Sequence, residues 1–69
     1  MLLATVLLPL PFDKGFSYSI PDGVEVEVGQ YVSVSFRNRE MIGVILQLEG
    51  CDEIPKRTKP LLHAYDVPI

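Results

Sequence analysis

Two alternating runs dominate the chain between Phe16 and Phe36. In the first, Phe16, Tyr18 and Ile20 alternate with Ser17 and Ser19; in the second, Val32, Val34 and Phe36 alternate with Tyr31, Ser33 and Ser35. A period of two marks a strand with one buried face, because successive side chains of a pleated strand point to opposite sides. The pattern predicts two strands that share a core through the Phe16 and Val32 sets and turn their serines outward. Between them, Pro21-Asp22-Gly23 combines a preset φ, a side-chain acceptor and a residue free to take φ > 0, which predicts a tight reversal. Gly29 gives a second hinge. Val24, Val26 and Val28 alternate with Glu25 and Glu27, a pattern shared by a short strand and by an extended arm that packs its valines, and both readings stay open.

The flanks continue the β pattern. Leu2 to Leu8 is an unbroken apolar run, consistent with a central strand covered on both faces, and Pro9 and Pro11 end it because neither can donate to a ladder. Phe12-Asp13-Lys14-Gly15 reads as a connector. Arg37-Asn38-Arg39-Glu40 reads as a four-residue charged hairpin loop leading into a strand from Met41 to Leu48, with Gly43 marking a bulge or the close approach of another backbone. Glu49 to Lys59 reads as a loop. Pro60 to Val67 reads as a last short strand, with His63 and Tyr65 on the same face. No long segment has a period of 3.6, so the expected class is mainly β: a small barrel or curled antiparallel sheet of about five to six short strands. It forms one β-rich domain over 1–69, or an N-terminal fragment of a larger chain whose fold is completed beyond Ile69.

Composition narrows the setting. A chain of 69 residues buries only about 60% of its unfolded surface and is marginally stable alone, which favours a fragment or a partner. The single cysteine, Cys51, cannot form an internal disulfide, and a secreted domain of this size would carry several, so a reducing cytoplasm is expected. The apolar start lacks a preceding Lys or Arg and is broken by Pro9 and Pro11, unlike a signal peptide. It is too short to span a bilayer, and no membrane partner is expected. The net charge of −3 argues against a protein that coats nucleic acid. Arg37 and Arg39, and Lys56, Arg57 and Lys59, nevertheless fall in two short clusters, and two basic loops can make a local site on an acidic domain.

Catalytic chemistry is hard to find. Neither G-x-x-x-x-G-K-[ST] nor G-x-G-x-x-G occurs, and five scattered glycines do not cradle a phosphate tail. One Cys and one His cannot close a tetrahedral metal shell. Cys51 and His63 have the residue types of a nucleophile pair, but Cys51 lies in an acidic loop, the wrong surroundings for an activated thiolate. Asp13 and Asp22 sit at turn positions where Asp is common for backbone reasons. A binding surface remains: Phe16, Ser17, Tyr18 and Ser19, with basic loops nearby. Aromatic rings stack nucleobases and small hydroxyls hydrogen-bond their edges, although the plainer reading makes Phe16 and Tyr18 core.

The run LLPLPFDKGFSYSIPDGVEVEVGQYVSVSF, followed by IGVI and KPLLHAYD, resembles the N-terminal 3′ DNA end-binding domain of the bacterial primosomal replication-restart helicases, the PriA or primosomal protein N′ family. The similarity covers nearly the whole chain, and its specific part is the order PLP, F-x-Y, P-x-G, G-x-x-V-x-V-x-F, I-G-V and K-P at compatible spacing. The resemblance implies a cytoplasmic, bacterial, non-enzymatic module that binds the 3′ end of a nascent strand at a stalled fork. It would be attached to a superfamily 2 ATP-dependent 3′-5′ helicase that meets primosome proteins. ATP and zinc are implied only for that remaining part; no cofactor or metal is implied for this chain. Carried over residue by residue, the pocket for the terminal nucleotide would involve Phe16, Ser17, Tyr18, Arg37 and Lys59. The family typically has Asp where Ser17 stands, and Pro-Phe-Gly where Ser35-Phe36-Arg37 stands, so a base-contacting carboxylate and a flexible glycine are replaced. The competing expectation is a protein-interaction barrel whose exposed strand edges pair with another chain or with a second copy.

Overall fold

The structure, a computed structural model, describes residues 1–10 and 15–65. Five strands form one antiparallel sheet among the described residues: β1 (Leu2–Leu7), β2 (Gly15–Ile20), β3 (Tyr31–Phe36), β4 (Arg39–Gly50) and β5 (His63–Ala64), in the order β2-β1-β4-β3-β5. The alternating runs become β2 and β3; β3 has the predicted bounds, and β2 starts one residue early, at Gly15. Pro21 to Val24 forms the expected reversal, closed by Val24 N–H donating to Pro21 O at 3.2 Å with Gly23 at φ 83°.

The sheet is curled but not closed. With strands about 4.8 Å apart, β2 and β3 would lie about 14 Å apart across a flat sheet, yet the Phe16 and Phe36 rings meet edge to face at 4.8 Å between centroids. A bulge supplies part of the bend, because β4 places an extra residue, Leu46, where the pairing shifts between Thr5 and Val6. Gly43 shows why the interior glycine is needed: a Cβ there would stand 2.5 Å from Val6 Cγ1 and 2.6 Å from Leu7 O. The concave face gathers Ala4, Val6, Leu8, Tyr18, Ile20, Val32, Val34, Ile45 and Leu61 into the core.

The gap between β2 and β3 is bridged by a segment that belongs to neither. Ser19 N–H donates to Lys59 O (2.9 Å) and Leu61 N–H to Ser19 O (3.0 Å), while Leu62 N–H donates to Ser33 O and Tyr65 N–H to Tyr31 O, both at 2.9 Å. The expected last strand is therefore reduced to His63–Ala64, with an isolated parallel bridge between Ser19 and Pro60. Its reach to Val67, like the Phe12 to Lys14 connector, lies outside the described residues.

Three further expectations change, and one open reading is resolved. β1 is fully buried only at Ala4 and Val6 on one face, while Leu3 and Thr5 on the other are part-buried and Leu7 is exposed, because a curled sheet has a single inside. Arg37-Asn38 alone forms the hairpin turn; both take positive φ (50° and 63°), and Arg39 and Glu40 already pair with Phe36 and Ser35. That is the primed two-residue geometry matching the strand twist, and it extends β4 to twelve residues, through Gly50. Val24 to Val28 is an arm, not a strand, and only Val26 packs on the core while Val24 and Val28 are exposed. Nor do all the serines face solvent: Ser33 is fully buried, and its hydroxyl finds no hydrogen-bond partner among the described residues. β5 pairs along that edge of β3, which the periodicity of β3 itself does not report.

Two substitutions should move stability in opposite directions. Gly43→Ala forces overlap with backbone and should cost about 1–3 kcal/mol, whereas Ser33→Ala removes a buried hydroxyl that lacks a partner and should be neutral or stabilising by up to about 1 kcal/mol. Urea unfolding of both variants reads the two signs directly.

Candidate nucleic-acid interface

Where the Phe16 end of β2 meets the Phe36 end of β3, the slot opens into a cleft of about 210 Å³. Three stretches of chain build it. β2 contributes Phe16, Ser17 and Tyr18; Ser35, Phe36 and Arg37 come from the end of β3 and its turn; Arg57 and Lys59 come from the loop before the bridging segment. The loop is fixed at both sides, since Thr58 N–H donates to Pro55 O at 3.0 Å and Lys59 O is held by Ser19. All five residues expected at the site, Phe16, Ser17, Tyr18, Arg37 and Lys59, thus line one cleft.

Their roles are unequal. Tyr18 is only 5% exposed, and its hydroxyl donates to Ser35 O at 3.1 Å, so it spans the slot and sets its width; its ring face is core. Phe16 and Phe36 are half-buried, and their edge-to-face pair forms an aromatic floor. Arg37 is exposed and holds its guanidinium 5.3 Å above the Phe36 ring, within cation–π range. Its left-handed φ of 50° reproduces with an arginine a conformation that glycine adopts more easily. Ser17 is exposed at the rim.

The electrostatics have one sign. Arg37, Arg57 and Lys59 line the cleft, and none of the other described lining residues carries a charge. Such a surface favours phosphate, with aromatic rings beside it for a base and small hydroxyls for hydrogen bonds. Sequence reasoning missed Phe36, Ser35 and Arg57 as site residues. Phe36 follows the core alternation and carries no separate signal, while Arg57 lies in a basic cluster that marks the loop without saying which side chain turns inward.

Burial raises the Tyr18 phenol above the ordinary tyrosine value near 10 by desolvating its charged form. The folded state therefore retains a proton that the unfolded chain releases first, so this group's contribution is intact below pH about 10 and is lost as pH rises further. Tyr18→Phe should remove that alkaline loss. It should also cost about 0.5–1.5 kcal/mol at neutral pH through the lost bond to Ser35. Thermal melts of both proteins from pH 7 to 11 give the comparison.

The family model for the 3′DNA-binding domain (3′BD) of PriA matches residues 5–69. Replication restart protein PriA of Rickettsia conorii is 36% identical over 56 residues, 81% of this chain and 9% of that protein. The protein of the same name from Synechocystis is 35% identical over 65 residues, 84% of this chain and 8% of the relative; the Buchnera aphidicola protein is 35% identical over 46 residues, 67% and 6%. The chain spans less than a tenth of the length of these relatives. A match from residue 5 to the last residue, on a sheet whose open end gathers rings and cations, leads to one assignment: the chain belongs to the family of PriA 3′DNA-binding domains.

Proposed function

We propose that residues 1–69 act as one DNA-binding domain that takes the 3′ end of a strand into the Phe16–Lys59 cleft. On this reading the domain directs an ATP-dependent replication-restart helicase, together with its primosome partners, to stalled forks in the bacterial cytoplasm. The observation that carries the reading is the convergence of Phe16, Ser17, Tyr18, Arg37 and Lys59 from three distant stretches at one cationic cleft on a chain of net charge −3. The terminal base lies against the Phe16–Phe36 floor, Ser17 offers its edge one hydrogen bond, and Arg37, Arg57 and Lys59 meet the adjoining phosphates. The cleft is small and bounded by Tyr18 and Ser35, which suits a chain terminus better than a continuous track. Edge pairing with another chain is less well supported, because Ser19 and Ser33 already spend main-chain groups on the bridging segment.

A site taking one strand end meets two or three phosphates, so log K against log salt should slope at about −1.5 to −2, on roughly −0.7 per phosphate. A slope steeper than about −4 would indicate a long electrostatic track. Lys59→Ala and Arg37→Gly, the latter suited to the positive φ, should weaken oligonucleotide binding while the melting temperature stays nearly unchanged. Unchanged binding in both would move the site elsewhere.

Discrimination of the terminus is the sharper test. A pocket closed on the last nucleotide desolvates its 3′ hydroxyl, and a 3′ phosphate adds bulk that nearby cations offset only in charge. A 3′-phosphorylated oligonucleotide should therefore bind about tenfold or more weakly, about 1.4 kcal/mol. The 5′-phosphorylated control should match the unmodified strand. Equal affinity of the 3′-hydroxyl and 3′-phosphate forms in one buffer would sink end recognition.

A further inference from the structure

The slot between β2 and β3 has a second opening. β2 and β3 run antiparallel, so the end of β2 that passes into Pro21 lies beside the start of β3 at Gln30. There the reversal, the arm and the bridging segment enclose a groove of about 450 Å³, within the range of cavities that accept small ligands or inserted side chains. Its walls combine apolar residues, Val24 on the arm and Leu61, Leu62 and Ala64 on the bridging segment, with the polar Glu25, Gln30 and His63. Val24 is 37% exposed and Leu62 53%, so these walls are accessible.

Charge here is opposite to that of the first cleft. Glu25 lines the groove, and no lysine or arginine is among its described lining residues; Asp22 in the reversal and Glu27 on the arm are exposed. Polyphosphate is therefore disfavoured. The arm is also set in place, since the Gln30 side chain accepts from Glu27 N–H at 2.9 Å and donates to Tyr65 O at 3.1 Å. A site held before binding loses less ordering entropy when it is filled.

We propose that this groove is a docking site for a polypeptide segment carrying a bulky apolar side chain beside a lysine or arginine. The apolar side chain enters between Val24 and Leu62, and the cation meets Glu25. The groove and the DNA cleft are different openings of the same slot, so the segment and a DNA end bind together. Docking of the segment does not depend on what the first cleft binds; only its simultaneity with DNA rests on the proposed function.

Labelled twelve-residue peptides test it by anisotropy against this chain: one of leucine and lysine, one with glutamate for every lysine, and one with serine for every leucine. The leucine–lysine peptide should saturate and bind at least tenfold more tightly than either control. Glu25→Lys and Leu62→Ser should each weaken it at least tenfold, and Glu25→Gln, which keeps the side-chain shape, by a smaller factor. All three variants alter exposed residues and should melt like the parent and bind an oligonucleotide within twofold of it. Absence of saturation, equal binding of the glutamate peptide, or undiminished binding by Glu25→Lys would overturn the proposal. Loss of oligonucleotide binding in the same variants would overturn the independence of the two openings.

Discussion

The structure depends on how the open side of a curled sheet is bridged. Curling brings the outer edges of β2 and β3 into proximity without letting them pair, and unpaired main-chain groups at a partly buried edge are costly. The segment from Lys59 to Tyr65 meets that need from both sides, through Ser19 toward β2 and through Ser33 and Tyr31 toward β3. Each bond adds only about 1 kcal/mol net, but together they fix a segment with almost no regular structure of its own. The same residues then serve several purposes: Leu61 enters the core, Lys59 lines one opening, and Leu62 lines the other. One short segment thus contributes to core, cleft and groove through different side chains.

The curl has local causes. The extra residue Leu46 bends β4 against β1, and the missing Cβ of Gly43 lets the β1 backbone approach. The Tyr18 hydroxyl then limits how near β2 comes to β3, by reaching the Ser35 carbonyl across the slot. Phe16 and Phe36 meet at the mouth because these three features together set the radius.

Much of this was legible in the chain. Alternation located β2 and β3, and Pro21-Asp22-Gly23 gave the turn, because both signals are local. The shortened hairpin loop was not legible, since Arg37 at a positive φ runs against its own preference and is held there by the pairing of Phe36 with Arg39. Buried Ser33 was missed for a related reason: alternation tells which side of a strand a residue takes, but not how exposed that side is in the folded chain. Phe16, Ser17 and Tyr18 stood out by residue type on one strand, but Arg37 and Lys59 were named through family resemblance, because convergence of three distant stretches leaves no periodic trace. Arg57 was visible only as part of a cluster, and Phe36 only as a core ring.

Charge arrangement settles what net charge leaves ambiguous. A balance of −3 speaks against binding polyphosphate if it is treated as a uniform field. The carboxylates of the arm, however, lie at the far end of strands about 17–20 Å long, roughly two screening lengths at physiological salt. Over that distance the arm exerts little on Arg37, Arg57 and Lys59, and the two openings carry opposite local charge. Ser17 fits the same logic: a carboxylate there would stand within the cationic cleft and offset part of its positive charge, whereas a hydroxyl leaves the charge of Arg37, Arg57 and Lys59 undiminished.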